Sequence, residues 1–398
     1  MTDSAYYDVV VVGGGPAGAT AAADLATRGR RVLLLDRAGR IKPCGGAVPP
    51  KLLNEFEVPE ALLVARARSA RIVAPSARQV EMPINDGGFV GMVDREHFDE
   101  WLRQRAAARG ATRVAGSFEG ISRDHLNRPL VQFRANDDNA TREVRARAVI
   151  GADGAASLVG RSQVPAARES ARVYAYHEIV EAPGRHEVEG YDGTRCEVHY
   201  RGEISPDFYG WVFPHGNTIS IGSGTAAKGF SLRGAVTRLR ADTGLAQARV
   251  IRREGAPLPL EPLRCWDNGR DVVLAGDAAG VVAPASGEGI YYAMTGGRLA
   301  GEAVDEFLRE GNPKALAQAR RRFMRAHGRV FWVLGLMQRF WYHSDKRRER
   351  FVSMCSDADV QAITWEAYLN KRLVRSRPFA HARIFFKDMA HLLGLVTP

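Results

Sequence analysis

The stretch that most constrains this chain runs from Asp8 to Asp36 and reads DVVVVGGGPAGATAAADLATRGRRVLLLD. Residues 9–12 form a short β-branched apolar run with the length and composition of a buried parallel strand. That run meets Gly13, Gly15 and Gly18 in the G-x-G-x-x-G spacing, and the alanine-rich segment 17–26 follows with high helix propensity. A second apolar run, residues 32–35, stops at an acid, Asp36. Each piece has a physical reason. Gly13 lets the chain turn off the strand, Gly15 lets backbone N–H groups approach a pyrophosphate at the positive helix end, and Gly18 lets helix and strand pack closely. Asp36 is placed to accept hydrogen bonds from ribose hydroxyls. Strand, loop, helix and acid together predict a dinucleotide site.

Composition narrows the rest. A chain of 398 residues, 45% hydrophobic and 25% charged, has ample core for one large or two to three ordinary globular domains. Cys44, Cys196, Cys265 and Cys355 are scattered without a C-x-x-C pair, which argues against a disulfide framework or a zinc site and fits a reducing cytosol. His177 and His215 show no ligand spacing, so no metal is expected. The first strand starts near Asp8, leaving no room for a signal peptide, and no run of about eighteen apolar residues exists to span a bilayer.

The net charge of +11 is placed unevenly. Residues 314–398 hold 17 Lys+Arg against 6 Asp+Glu, whereas residues 1–313 hold 39 of each sign. Aromatics are interleaved in this basic region at Phe331, Trp332, Phe340, Trp341, Tyr342, Phe385 and Phe386. Either solvated helix faces or contact with an anionic membrane surface fits that pattern. No recognised nucleic-acid-binding motif accompanies the charge, so no nucleic-acid partner is expected.

After Asp36 comes a Pro- and Gly-rich loop, KPCGGAVPP, at 42–50. A strand is predicted at 89–93 and an amphipathic helix at 95–109, then short strands at 114–118, 130–134, 143–147 and 148–152, the last ending in Asp153-Gly154. Between 172 and 224 the pattern is β, with strands expected at 173–180, 195–200, 208–214 and 218–222 and a helix at 232–241. The chain then returns to the first domain with a strand at 271–275, GDAAG at 276–280 and a long helix to about Glu310. From Pro313 the periodicity is helical.

Three separated words, GGGPAG at 13–18, GADGA at 151–155 and GDAAG at 276–280, resemble the signatures of the p-hydroxybenzoate-hydroxylase-type FAD fold. Within it, KPCGGAVP at 42–49, SPDFYGWVFP at 205–214, GDAAGVVAPASGEGIYYA at 276–293 and RERFVSMCSDADVQ at 348–361 resemble the geranylgeranyl reductases of chlorophyll and bacteriochlorophyll synthesis. The resemblance extends from Asp8 to about Arg372. It implies an α/β fold: a Rossmann-like FAD-binding domain (1–70, 90–165 and 265–312), an inserted antiparallel-sheet substrate domain (71–89 and 166–264), and a basic, aromatic-rich helical C-terminal region (313–398). It also implies FAD held by Gly13, Gly15, Ala17, Gly18, Asp36 and Arg37, by Arg95, Asp153 and Gly154, and by Gly276, Asp277, Gly287 and Gly289, with Asp277 at the ribityl chain. Cys44, Gly45 and Gly46 are implied to lie close to the flavin. The implied substrate is a geranylgeranylated pigment or geranylgeranyl diphosphate, and the implied product is phytyl. The chain is then expected to be cytoplasmic and peripheral on the photosynthetic membrane, with pigment-synthesis enzymes as further partners.

The chemistry assigns further roles. An unconjugated trisubstituted alkene has no carbonyl to accept a hydride, so a proton donor must serve one carbon and N5 of reduced FAD the other. Protonation of the less substituted carbon leaves a tertiary cation for hydride to capture. Cys44 is the candidate donor, with an inert packing thiol as the bland reading. Tyr209, Trp211, Phe213 and Tyr291 are candidates for a prenyl cavity, although period-two alternation would put Phe208 and Trp211 on opposite faces. No second G-x-G-x-x-G is present, so NADPH would visit the flavin directly, with reduced ferredoxin as the alternative reductant. A flavin monooxygenase, a non-catalytic prenyl-binding escort protein and an archaeal-type reductase of geranylgeranyl membrane lipids are the competing readings.

Overall fold

The computed structural model describes residues 6–39, 41–85, 87–169, 172–184 and 187–371, and the chain divides between two compact units. One comprises Met1–Lys42, Arg95–Arg172 and Pro257–Phe331, the other Pro43–Asp94, Val173–Ala256 and Trp332–Pro398. The chain starts in the first unit as β1 (Tyr6–Val12), α1 (Pro16–Thr27) and β2 (Val32–Asp36). It leaves for the second unit to form β3 (Ala47–Val48), α2 (Pro50–Glu55), β4 (Leu63–Ala67), β5 (Ser69–Val73), β6 (Gln79–Pro83) and β7 (Val90–Val93). Back in the first lie α3 (Arg95–Ala108), β8 (Thr112–Arg123), β9 (Pro129–Ala135), β10 (Thr141–Gly151) and α4 (Leu158–Gln163). The next excursion supplies β11 (Val173–Glu181), β12 (Arg195–His199), β13 (Gly210–His215), β14 (Thr218–Thr225), α5 (Leu232–Asp242) and β15 (Val250–Leu258). Then come β16 (Val272–Leu274), α6 (Ile290–Glu310), α7 (Gln318–Trp341), α8 (Asp345–Met354) and α9 (Ala358–Asn370).

In the first unit the parallel pairs run β8–β2–β1–β10–β16. Parallel strands need both faces covered, and the residues comply: Val9, Val10, Val11, Ala148, Val149 and Ile150 are all fully buried. The segments 143–147 and 148–152, expected as two strands, are one. β10 pairs antiparallel with β9 up to Arg145 and passes without a break into parallel pairing with β1 from Arg145 to Gly151. On the sheet, α6 crosses α1 at van der Waals distance through small residues. A Cβ placed on Gly297 would lie 2.1 Å from the Ala17 carbonyl oxygen, and one on Gly301 3.6 Å from that of Ala21.

The second unit holds a seven-stranded sheet in the order β15-β11-β14-β13-β12-β5-β6 and a three-stranded sheet β3-β7-β4. The larger sheet departs from the expected antiparallel pattern between β5 and β12. β5 and β12 run parallel, because they come from separate excursions and are not hairpin partners. α5 places Val236 and Leu239 in a core with Val180, Ile204, Val212, Ile219, Ile221 and Leu245. Trp365, Tyr368 and Leu369 of α9 pack on Ala67, Ile84, Val90, Met92 and Cys196.

Three further sequence expectations change here. Residues 43–70, expected with the FAD-binding part, cluster with the second unit, because β3 and β4 pair with β7 and β5 pairs with β12. The C-terminal region is not a separate body from 313. Residues up to Phe331 cluster with the first unit and the later ones with the second, where buried Arg348 donates to the carbonyls of Pro206 and Tyr342. Finally, the strand expected from Phe208 begins at Gly210. Ser205 Oγ accepts the Phe208 N–H at 2.8 Å and donates to the Gly224 carbonyl at 2.6 Å, which closes a turn just before the strand.

The helix crossing yields the first prediction. Gly297→Ala forces a methyl group into the Ala17 carbonyl and is expected to cost about 1–3 kcal/mol by overpacking. The urea-unfolding midpoint should fall accordingly, whereas Gly311→Ala, at an αL helix end with open space around it, should act only through its positive φ.

Candidate cofactor site and the Cys44 loop

In the first unit, the G-x-G-x-x-G loop is built as its spacing predicts. Gly13 has φ +104°, and a Cβ on it would lie 2.3 Å from the Ala152 carbonyl oxygen. A Cβ on Gly18 would lie 1.9 Å from the Gly13 carbonyl oxygen, so this glycine sets the helix–strand approach. Gly15 is different in kind: its Cβ position meets nothing within 4 Å. Gly15 is the N-cap of α1 and offers no side-chain cap; Pro16 follows it, and no acid occupies the first turn. A 12-residue helix thus presents uncapped N–H groups and its positive end to an open cradle, which is what a pyrophosphate requires.

Asp36 stands at the end of β2, where its Oδ2 accepts the Gly14 N–H at 2.6 Å and its Oδ1 the Ala38 N–H at 3.1 Å. The acid therefore clamps the loop while remaining partly open to a sugar. Arg37 is exposed next to it, and its carbonyl accepts from Asn136 at 2.6 Å. Arg95 is buried and bidentate to Asp99 one turn on, at 2.8 and 2.7 Å. Asp153 turns its carboxylate onto α4, accepting from Ser157 Oγ at 2.5 Å and from the Leu158 and Val159 N–H groups at 2.6 and 3.1 Å; Gly154 follows at φ +84°. Buried Asp277 forms an ion pair with Lys42, and its Oδ1 is 3.8 Å from the Cβ position of Gly289, the N-cap of α6. Gly276 and Gly287 both take φ +65°, and a Cβ on Gly276 would lie 2.7 Å from Ala17 Cβ. Loop, Asp36 and the Gly276–Asp277 turn are thereby brought to one end of the first unit's sheet. Tyr291, expected at the substrate, is buried in an aromatic cluster of the same unit, with ring centroids 5.4 Å from Tyr292 and 6.0 Å from His327.

Two residues of this site were missed from sequence. Lys42 was in view inside KPCGG, but nothing local says that its ammonium pairs with an acid 235 positions on. Arg103 donates to the Gly14 carbonyl at 3.4 Å and lies 3.9 Å from Asp36. Its signal was the i, i+4, i+8 spacing with Asp99 and Arg95 on one helix face.

The second unit gathers the other candidates. Gly46 N–H donates to Cys44 Sγ at 3.3 Å. The loop lies on β13: a Cβ on Gly45 would be 3.1 Å from the Phe213 ring and 3.9 Å from Trp211 Nε1, and one on Gly46 would be 2.5 Å from His215 Nε2. Gly46 has φ +70°, so both its backbone and its surroundings exclude a side chain. Tyr209 stacks on Phe208 with centroids 4.3 Å apart, and both precede the strand, so the expected alternation of Phe208 with Trp211 does not arise. His215 donates from Nδ1 to the Phe213 carbonyl, and burial holds its pKa below the usual imidazole value. Among the thiols, burial pushes Cys196 and Cys355 up to about 12, while Cys44 is only half-buried.

An uncapped helix end over an open glycine cradle, an acid at the end of the second strand and a parallel sheet behind them form a site of the dinucleotide-binding class. A family model described as FAD dependent oxidoreductase matches residues 8–197, and one described as lycopene cyclase protein matches residues 229–387. The chain belongs to the geranylgeranyl diphosphate reductase family. It is 56% identical to geranylgeranyl diphosphate reductase of Rhodobacter capsulatus, covering 98% of this chain and 99% of that protein. It is 35% identical to the chloroplastic enzyme of that name from Oryza sativa, covering 97% of this chain and 86% of that protein. In fold it is similar to the crystal structure of a geranylgeranyl bacteriochlorophyll reductase-like protein from Thermoplasma acidophilum, with a TM-score of 0.80 at 23% identity over 94% of this chain and 99% of that one.

The cradle gives a clean test. Because Gly15 has negative φ and open space at its Cβ position, Gly15→Val should fold as the wild type does. Its isopropyl group would occupy the phosphate position, so the purified protein should lose its flavin absorbance. A yellow, fully loaded Gly15→Val protein with unchanged thermal midpoint would show that the pyrophosphate lies elsewhere.

Proposed function

We propose that this chain is an FAD-dependent reductase that hydrogenates the isolated double bonds of a geranylgeranyl chain to give phytyl, the chain being carried on bacteriochlorophyll or chlorophyll or as the diphosphate. The near full-length identity of 56% to a geranylgeranyl diphosphate reductase carries this reading. The same match favours it over an aromatic monooxygenase or a non-catalytic escort. FAD, when bound, supplies the reducing equivalents as a hydride. Gly13, Gly15 and Gly18 seat its pyrophosphate, Asp36 its ribose and Asp277 its ribityl chain, with Lys42 holding the Asp277 carboxylate in place.

Cys44 supplies the proton. The Gly46 N–H aimed at Sγ orients the thiol. Trp211 and Phe213, against the same loop, are the apolar wall for the prenyl chain, with Tyr209 supporting them. NADPH is the reductant in this reading. Anaerobic incubation of the wild-type protein with NADPH and geranylgeranylated bacteriochlorophyll should give stepwise mass gains of two hydrogens. Cys44→Ala should keep its FAD and the bleaching of that FAD by NADPH, yet slow alkene reduction on the order of 10²-fold. Undiminished single-turnover reduction would leave Cys44 a packing role only.

A water-insoluble substrate must be collected from a membrane or a carrier, and the basic C-terminal region suits an anionic surface. No helix among the described residues is long and apolar enough to cross a membrane. Of the aromatics noted from sequence, Phe331, Trp341 and Tyr342 are buried, whereas Trp332 is 70% exposed. Leu336, 55% exposed, and Arg339 follow it at helical spacing on the same face of α7, so cation, indole and alkyl groups face outward together. Arg375, Arg377, Arg383, Lys387, Phe385 and Phe386 lie outside the described residues. The reading is a peripheral, salt-sensitive association with the photosynthetic membrane, on its cytoplasmic side and near pigment-synthesis enzymes. Each cation near the surface adds about 1 kcal/mol. Co-sedimentation should therefore favour anionic over neutral liposomes, fade with salt, and weaken on truncation after Arg372 while FAD stays bound. Equal, salt-independent binding to both lipids would remove the electrostatic account.

A further inference from the structure

Behind the Cys44 loop the second unit buries a chain of polar groups for which the chemistry described so far has no use. Trp211 Nε1–H donates to Ser220 Oγ at 3.1 Å, Ser220 Oγ is 3.0 Å from His177 Nδ1, and His177 Nε2 is 2.9 Å from Glu254 Oε2. Glu254 Oε1 lies 2.5 Å from Arg252 Nε. Ser220 is fully buried and His177 3% exposed, so the serine is no nucleophile for an incoming substrate despite its Ser–His–Glu company. The direction of the chain follows from its ends. An indole N–H only donates and a carboxylate only accepts, so Trp211 donates to Ser220 and His177 Nε2–H donates to Glu254; with the neutral imidazole, Ser220 O–H donates to His177 Nδ1. Each group has its partner, and the indole is the end member.

The backbone is shaped to the same purpose. Gly222 is the register partner of both His177 on β11 and Trp211 on β13. A Cβ at Gly222 would lie 2.2 Å from Trp211 Cζ2 and 2.6 Å from His177 Cβ, so the missing side chain makes the slot in which the indole lies. The edge of the indole that carries Nε1 is also the edge 3.9 Å from the Cβ position of Gly45. Fixing Nε1 therefore fixes the distance between the ring and the Cys44–Gly46 loop.

We infer that His177 and Glu254 are positioning residues for the reductase reaction: through Ser220 they hold Trp211 against the Cys44 loop and so set how the prenyl chain is seated. This role rests on the functional reading above. Its physical core, the hold on Trp211, does not.

Two measurements separate them. In protein labelled with ¹⁵N-tryptophan, the Trp211 indole N–H signal, assigned by its absence in Trp211→Phe, should move upfield in His177→Phe and in Ser220→Ala. In steady-state reduction of geranylgeranyl diphosphate, His177→Phe should raise KM about tenfold with a smaller change in kcat, and in a Trp211→Phe background it should add less than about twofold. Glu254→Gln, which keeps an accepting oxygen for His177, should leave KM close to the wild-type value. If His177→Phe does not fold, Ser220→Ala, which removes one oxygen, carries the same two expectations. An unmoved indole signal, or KM effects that add fully in the double variant, overturns the inference. A moved signal in a protein that never reduces geranylgeranyl diphosphate or the pigment would instead retire the functional reading and, with it, the assigned role.

Discussion

The first unit depends on one close approach, the contact of α6 with the Ala17 carbonyl at Gly297. Only a residue without Cβ lets the two helix backbones come this near. The same approach puts Gly276 against Ala17, at 2.7 Å for a Cβ placed on that glycine, and Gly276 begins the turn that carries Asp277. The distance from the glycine loop to Asp277 is thus set by packing between backbones. Side-chain hydrogen bonds only trim it: Lys42 on Asp277, Arg103 on the Gly14 carbonyl, and Asp36 on the Gly14 N–H.

What was legible in the sequence was what is local. The strand at 9–12, the glycine spacing and the acid at 36 lie within one supersecondary unit, and each of their roles follows from neighbours a few positions away. Residues whose meaning depends on distant partners were not legible. Lys42 needs Asp277, and β5 needs β12, some 126 residues on, before 43–70 can be seen to belong with the second unit. Phe208 and Tyr209 carried strand-like composition, but Ser205 closes a turn that keeps Phe208 out of the ladder, so local polar chemistry won over propensity. The tail shows the reverse failure. Charge and aromatic content were counted correctly, yet composition does not say which rings face out, and Tyr342 went inward to share a 3.0 Å hydroxyl contact with Tyr200.

The thiols illustrate how environment sorts chemically identical groups. Cys196 packs with Met92 and Val90, and Cys355 is buried on the same unit; low dielectric keeps both protonated far above neutral pH. Cys44 sits instead on a loop with glycines at both following positions, one of which directs its N–H onto sulfur.

The interleaving of the two units has a consequence for how the protein comes into being. Each is assembled from three separate chain segments, so neither is a fragment that a ribosome can finish and release first. The central strand β1 leaves the ribosome well before its parallel neighbour β10, which ends at Gly151, and the next strand out, β16, which ends at Leu274. For much of synthesis the four valines of β1 therefore wait with one side of their sheet unmade. Parallel pairing at such long sequence separation is slow, and an apolar strand held open for that time is a natural client for a chaperone.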